Sequence, residues 1–250
     1  MNPAAPLWRE LNGYTALASH ALRRLRVLGV APVRLVFLRQ VYYTGIEALG
    51  TISLIALLTG ALVITQIISL MGANPELVLR VLVWVIVREL GPLFAAILII
   101  ARSSPAIATE LALMKTHHEI AHLRDMGIPA NDYLVVPRIA GVVLSVMALT
   151  FYFQVIAILG GMAAAAVYRH DSFIELLGDF IEVVSLAELA GTVVKSFFFG
   201  FSIATISCFH GLAVGHAITD VPKAAIKAVM RSLMAVFAID AVIAYASFVL

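Results

Sequence analysis

The longest stretches of this sequence without a charged residue are too long and too apolar for a water-soluble fold. Residues 139–168 form a run of 30 residues without Asp, Glu, Lys or Arg, and residues 48–75 form a second such run. A helix needs about 20 apolar residues to cross the hydrocarbon core of a bilayer. Over the whole chain 62% of the residues are apolar, 13% are charged, and the mean hydropathy is +1.02. The sequence therefore predicts an all-α integral membrane protein.

Five segments are long and apolar enough to be membrane spans, at about 48–74, 80–102, 138–168, 188–210 and 229–250. We therefore divide the chain into an N-terminal region, 1–46, and a five-span domain, 47–250. In the N-terminal region Trp8, Leu11 and Leu22 are interspersed with arginines, which is typical of an amphipathic helix at the membrane interface. An unstructured basic tail is the alternative interpretation.

The distribution of positive charge predicts the orientation. Residues 1–46 hold six arginines and a single acidic residue, and the connections 102–138 and 210–231 hold seven Lys and Arg between them. The two remaining connections hold only Arg80 and Arg169. Because Lys and Arg mark cytoplasmic segments, we expect the N-terminus inside the cell and the C-terminus outside. The net charge of +2 gives no reason to expect nucleic-acid binding.

Four ionisable residues lie well inside the predicted spans: Arg88, Glu89, Lys195 and Asp240. Each costs about 2.5–3.5 kcal/mol at the centre of a membrane helix. Their predicted depths are similar and their charges sum to zero, so we expect one buried cluster in the outer half of the bundle. Two roles remain open at this point, a structural ion-pair lock and the lining or gate of a substrate cavity.

The segment after the second span contains the H-E-x-x-H pattern, as His118-Glu119-Ile120-Ala121-His122. On a helix this spacing suits a zinc metalloprotease, which is one alternative function. The motif lies in a charged cytoplasmic connection without a recognisable third ligand, so we expect no metal. The phosphate-binding pattern G-x-x-x-x-G-K-[ST] is absent, so any ATP and Mg²⁺ would be bound by another chain.

Several short motifs carry a family resemblance. They read Arg-Glu-Leu-Gly-Pro at 88–92, Thr-Glu-Leu at 109–111, Met-Lys at 114–115 and Val-Pro-Arg at 136–138. This combination resembles the MlaE (YrbE) family, the permease subunits of Mla-type ABC transporters that move phospholipid across the envelope of Gram-negative bacteria. The resemblance covers about residues 40–250.

The resemblance implies a non-catalytic permease subunit in the inner (cytoplasmic) membrane. It implies transport of phospholipid between that membrane and the periplasm or outer membrane, which maintains outer-membrane lipid asymmetry. The expected partners are a second copy of the chain, a cytoplasmic ABC ATPase and a periplasmic MCE-domain lipid-binding protein. An ion-coupled secondary transporter working through Glu89 and Asp240 is a further alternative, although the inverted repeats common in such folds are not evident.

The resemblance also implies functional residues. A coupling helix at about 110–126 is expected to dock on the ATPase through residues on its surface: Glu110, Met114, Lys115, His118, Glu119, Leu123 and Met126. The lipid cavity of the dimer is expected to be lined by residues of the first span: Leu62, Gln66, Ile67 and Leu70. The four buried charges coincide with membrane-embedded charged positions of the family, and Gly160-Gly161 is expected to end the third span.

Overall fold

The computed structural model describes residues 5–71, 75–169, 186–215 and 217–249, and over these ranges it is helical and contains no strand. The predicted all-α fold is thereby confirmed. The helices are α1 (Ala5–Arg23), α2 (Ala31–Thr44), α3 (Leu49–Met71), α4 (Pro75–Val83), α5 (Gly91–Thr116), α6 (Glu119–Asp125), α7 (Val136–Arg169), α8 (Leu186–Leu212) and α9 (Val221–Val249).

Short helical segments of different pitch join several of these helices. Two wide π-helical turns precede α5 and α7, at Trp84–Leu90 and Asn131–Val135. Tighter 3-10 turns lie at Leu25–Gly29, Ile46–Ala48 and Ile218–Asp220. The π turn Trp84–Leu90 joins α4 to α5 without a break, so these three segments form one long rod. The π turn Asn131–Val135 likewise continues directly into α7.

Four helical stretches of the described chain are long and apolar enough to cross a membrane: Ala31–Leu70, Arg80–Thr116, Asn131–Ala166 and Glu188–Leu212. They correspond to the first four predicted spans. The fifth, predicted at 229–250, lies within α9, which is not among those four stretches. The total of five spans therefore stays a prediction.

Some predicted boundaries differ from the observed helices. The first apolar stretch begins at Ala31 rather than near residue 48, because the 3-10 turn Ile46–Ala48 links α2 to α3. Helix α5 continues to Thr116 and contains Pro105. The prediction that Gly160-Gly161 ends the third span is wrong, since α7 continues through both glycines to Arg169.

Helix α7 lies at the centre of the bundle and packs against α2, α3, α5 and α8, while α9 packs against α5 and α8. The contact between α3 and α7 depends on small residues. A Cβ atom on Gly60 would collide with the backbone of Ala157, and a Cβ on Gly160 would lie 2.9 Å from the carbonyl oxygen of Leu57. Such residues let two helices approach closely where lipid supplies no hydrophobic driving force. The glycines of α7 are therefore packing residues.

The N-terminal helix α1 is attached to the end of the bundle that the charge distribution predicts to be cytoplasmic. Gly13 faces the ring of Phe209, where any side chain would collide. Three polar contacts join α1 to α9, α8 and the π turn before α7, namely Glu10–Arg231 at 3.0 Å, Tyr14–His210 at 2.8 Å and His20–Asp132 at 2.6 Å. One face of this helix thus contacts protein; its placement at the membrane interface stays a prediction.

We expect Gly60→Ala to destabilise the protein by about 1–3 kcal/mol, because the added methyl group must separate α3 from α7. Gly50→Ala, in the same helix, is the matched control, since a Cβ there meets nothing within 4 Å. Thermal unfolding of the purified variants in detergent measures the difference. Equal melting temperatures for the two variants would contradict the close-packing interpretation.

Candidate functional site

The π turn Trp84–Leu90 positions the first two buried charges, Arg88 and Glu89. A π turn widens the helix and displaces carbonyl groups from the regular hydrogen-bond pattern, and such turns are frequent at functional sites. Here the carbonyl oxygen of Val87 accepts hydrogen bonds from Gln154 Nε2 (2.9 Å) and Thr192 Oγ1 (3.0 Å). Side chains of α7 and α8 therefore hold the turn in place.

Gly91 follows this turn directly, and its small size is required there. A Cβ atom at position 91 would lie 2.7 Å from Gln154 Cγ and 2.9 Å from the carbonyl oxygen of Ile86. A larger residue would displace Gln154 from the π turn. The Arg-Glu-Leu-Gly spacing at 88–91 thus combines two charges with the glycine that lets α7 approach them.

Lys195 is the centre of the site. Its side chain projects from α8 and the residue is only 3% exposed. The ammonium Nζ donates to Glu89 Oε2 at 2.7 Å and to the carbonyl oxygen of Arg88 at 3.1 Å, and it lies 2.8 Å from Asp240 Oδ1. Asp240 Oδ1 has no hydrogen bond of good geometry, so its contact with Nζ is an ion pair without a directed hydrogen bond. One buried cation thus joins the π turn, α8 and α9.

Arg88 completes the cluster at its more exposed side. Its Nε lies 3.9 Å from Glu89 Oε1, and its Nη2 donates to the carbonyl oxygen of Ser247 in α9 at 3.4 Å. The four residues that the sequence predicted as intramembrane charges therefore lie together, with two positive and two negative groups. Their role in the protein stays a prediction.

A cavity of about 210 Å³ lies beside the cluster between the π turn, α8 and α9. Its lining consists of Arg88, Glu188, Gly191, Thr192, Lys195, Ile243 and Ser247. The cluster thus both ties helices together and borders an open space, so the geometry is compatible with both roles left open by the sequence.

Gln154 and Thr192 were missed by sequence reasoning; the amide in the middle of a charge-free run was the available signal for Gln154.

The predicted coupling helix at 110–126 is divided between two helices. Helix α5 ends at Thr116, and His118 has a left-handed backbone with φ of 61°. Regular helical hydrogen bonds cannot continue through such a residue, so a new helix, α6, begins at Glu119. Glu110, Met114 and Lys115 therefore lie at the end of α5, Glu119 and Leu123 lie on α6, and Met126 follows it.

Lys115 and Glu110 make polar contacts within the chain. Lys115 Nζ donates to the carbonyl oxygen of Leu212 at 2.5 Å, which ties the end of α5 to the end of α8. Glu110 Oε1 lies 2.9 Å from Arg138 Nη2. Glu119 and Met126 are exposed, Met126 to 66%, and their docking role stays a prediction.

The division at His118 also weakens the zinc interpretation. His118 precedes α6 with a left-handed backbone, so it and His122 do not occupy successive turns of one regular helix. Within the part of the chain that the structure describes, no group of three or more His, Cys, Asp or Glu residues is arranged to hold a metal ion. The geometry gives the metalloprotease alternative no support.

The four predicted cavity residues do not share one face of α3. Leu62, Gln66 and Leu70 are exposed and recur every four residues, so they form one stripe along the helix. Ile67 is only 7% exposed and packs in the core of the chain. Within this chain the exposed stripe therefore excludes Ile67, because its side chain is directed toward the bundle.

Comparison with known proteins matches residues 37–246, which contain the whole buried cluster, to the permease family MlaE. The chain belongs to the MlaE permease family. It is 27% identical over 199 residues to a probable ABC transporter permease protein of Rickettsia typhi, covering 78% of this chain and 76% of that one. A probable ABC transporter permease protein of Pyropia yezoensis is 28% identical over 239 residues, 91% of this chain and 86% of its own.

A third relative is the protein TRIGALACTOSYLDIACYLGLYCEROL 1, chloroplastic, of Arabidopsis thaliana, which is 28% identical over 213 residues, 82% of this chain and 59% of its own. The predicted family is thus confirmed. The permease family and the apolar helices identify a multi-pass membrane permease, and the naming of relatives as ABC transporter permeases implies an ATPase partner. Helix α1 lies outside the matched residues.

We expect Lys195→Met to destabilise the protein by about 3–5 kcal/mol, because it removes the buried cation that pairs with the partly buried carboxylates of Glu89 and Asp240. The combined variant Lys195→Met, Glu89→Gln, Asp240→Asn removes both carboxylates together with Lys195 and leaves only the more exposed Arg88 charged, so it should recover most of the lost stability. Thermal unfolding in detergent compares both with the unmodified protein. A Lys195→Met variant that melts at the same temperature as the unmodified protein would show that the ion pairs contribute little to stability.

Proposed function

We propose that the chain is the membrane-spanning permease subunit of an ABC transporter that moves phospholipid between the inner membrane and the periplasm or outer membrane of a Gram-negative bacterium. The observation that carries the lipid assignment is the exposed stripe of α3, with Leu62 and Leu70 on either side of Gln66. An apolar stripe with a single amide suits acyl chains and a polar linkage, whereas an isolated amide facing hydrocarbon is unfavourable.

The family and one relative's name support a lipid substrate. The Arabidopsis relative carries the name of a diacylglycerol glycolipid. We propose that a second copy of this chain covers the stripe, so that the two copies enclose a lipid cavity between them. Transport by this proposal maintains the lipid asymmetry of the outer membrane, and a periplasmic MCE-domain protein exchanges lipid with the cavity.

The ATPase, which binds ATP and Mg²⁺, is proposed to dock on α6 and on Met126 just after it. This surface is exposed, and α6 follows the rod formed by α4, the π turn and α5. That rod carries Glu89 of the buried cluster, so a displacement of α6 passes across the break at His118 to the end of α5 and along the rod toward Lys195. Closure of the ATPase can in this way shift the bundle between two arrangements, which is a population shift driven by a partner.

The buried cluster is proposed to act both as a lock and as the border of the substrate path. Lys195 holds the π turn, α8 and α9 in one arrangement, and the adjoining cavity lies against the same side chains. If the cluster has only a structural role, neutralising Lys195, Glu89 and Asp240 together leaves transport intact once the protein is stable. If it also guides substrate or couples the helices, transport is lost although the fold is recovered.

Purification of the tagged protein from its native membranes in mild detergent, followed by mass spectrometry of protein and lipid, tests the assignment. We expect an ABC ATPase, an MCE-domain protein and phospholipid at stoichiometric levels. Recovery of the chain alone, without ATPase or lipid, would contradict the proposal.

We expect Met126→Glu to reduce co-purification of the ATPase at least tenfold, because a charge replaces the exposed apolar side chain at the proposed docking surface. Ile218→Glu is the matched control, since Ile218 is equally exposed, at 63%, in another connection predicted to be cytoplasmic. The ratio of ATPase to permease on a stained gel is the measurement. The same loss in both variants would show that α6 is not the specific docking element.

We expect the combined variant Lys195→Met, Glu89→Gln, Asp240→Asn to lose at least nine-tenths of ATP-dependent lipid transport in reconstituted vesicles, while it retains its ATPase partner. Leu144→Ala, an exposed position on α7 away from the cluster, serves as the control substitution. Unimpaired transport by the combined variant would restrict the cluster to a structural role.

A further inference from the structure

A second polar cavity, of about 430 Å³, lies away from the buried cluster, between α2, the second half of α5 and the start of α7. It lies on the side of the bundle that the charge distribution predicts to be cytoplasmic. Its polar lining consists of Arg39, Gln40, Tyr43, Glu110, Tyr133 and Arg138. Cavities that hold small ligands have volumes of about 300–1,000 Å³. The space is therefore sufficient for a headgroup or a small anion.

Arg138 is a cation almost wholly removed from solvent, with 4% of its surface exposed. Its Nη1 donates to the carbonyl oxygen of Leu134 at 2.9 Å, and its Nη2 pairs with Glu110 Oε1 at 2.9 Å. Its Nε is fully buried and has no hydrogen-bond partner. A buried guanidinium with an unused donor is unfavourable unless a further acceptor is supplied.

Arg39 adds a second guanidinium to the same lining. It is exposed, and within the described residues it forms no ion pair. The cavity thus contains two guanidinium groups and a single carboxylate, that of Glu110. One positive charge is left without a counter-ion inside the cavity, and the phenol groups of Tyr43 and Tyr133 supply further hydrogen-bond donors.

We propose that this cavity binds a phosphate group carrying a single negative charge, either the phosphodiester of a lipid from the cytoplasmic leaflet or a free dihydrogen phosphate ion. Guanidinium groups bind phosphate oxygens through paired, charge-assisted hydrogen bonds. One such anion balances the excess positive charge of the cavity lining. The lipid source rests on the proposed function; the anion site itself rests only on the charges and the cavity.

An adjoining cavity of about 230 Å³ gives the lipid source additional support. It shares Gln40, Tyr43 and Glu110 with the first cavity and continues along α2 to the ion pair between Arg102 and Glu47. The two together form a polar groove along α2, with room for the substituent that distinguishes one phospholipid headgroup from another. Glu110 lies where they meet and competes with the ligand for Arg138.

Binding of two probes by the purified full chain in detergent tests the proposal. The probes are dioleoyl-phosphatidylglycerol in mixed micelles and inorganic phosphate, with apparent dissociation constants measured by native mass spectrometry and by competition. We expect Arg39→Gln to weaken binding of one or both probes about tenfold, the effect of losing a charge-assisted hydrogen bond. Arg34→Gln, an exposed arginine of the same helix outside the cavity, should leave binding unchanged.

A third variant changes binding in the opposite direction. Glu110→Gln removes the competing carboxylate, so the anion should bind at least threefold more tightly. Arg39-dependent binding of phosphatidylglycerol that is not displaced by inorganic phosphate identifies a lipid headgroup, and binding of inorganic phosphate with the same dependence identifies a free anion. Either result supports the site.

Equal binding by the Arg39→Gln and Arg34→Gln variants, for both probes, would overturn the proposal. So would weaker binding by a Glu110→Gln variant that melts like the unmodified protein. Because Arg39 is exposed, its substitution keeps the test independent of folding. Co-purification of the ATPase and lipid transport are measured on the same preparations, so a failed anion site with transport retained is distinguishable from failure of the proposed function.

Discussion

The arrangement of the part of the bundle that contains the π turn Trp84–Leu90 depends on one buried ammonium group. Lys195 is surrounded by apolar helices, where an unpaired cation is costly, and it is tolerated because three oxygen atoms from two other elements meet it. Glu89 reaches it from the π turn, and Asp240 reaches it from α9. The position of each of these helices is thus tied to that of the other two.

The rest of the bundle is consistent with this constraint. The wide turn that carries Glu89 would leave the Val87 carbonyl without a regular partner, and Gln154 and Thr192 supply hydrogen bonds to it. Gly91 provides the space for Gln154. On the other side of α7, close packing of small residues replaces polar contacts, with Gly60 against the backbone of Ala157. Helix α7 is therefore held by hydrogen bonds on one side and by backbone proximity on the other.

At the end of the bundle where α1 attaches, polar contacts hold the helix ends together. Lys115 joins the end of α5 to the end of α8, and the contacts of α1 reach α8, α9 and the turn before α7. A partner that moves α6 therefore acts on elements that are connected both to the buried cluster and to the cavity lined by Arg138. This connectivity gives the proposed coupling and the proposed anion site a common structural basis.

The sequence by itself determined the membrane class, the all-helical fold, four apolar stretches and the family, because apolar runs and short motifs are properties of neighbouring residues. It also singled out four charges whose similar depth implied a shared site. It could not specify the π turn at 84–90, the left-handed backbone of His118 or the burial of Ile67.

Those features depend on contacts between residues far apart in the chain. Gln154 and Thr192 act on the turn at Val87 from other helices, and the direction of Ile67 is defined only once α3 packs on α7. The cavity around Arg138 likewise exists only where three helices meet. Local pattern indicates which residues are costly in a membrane, whereas tertiary packing decides which partners compensate that cost.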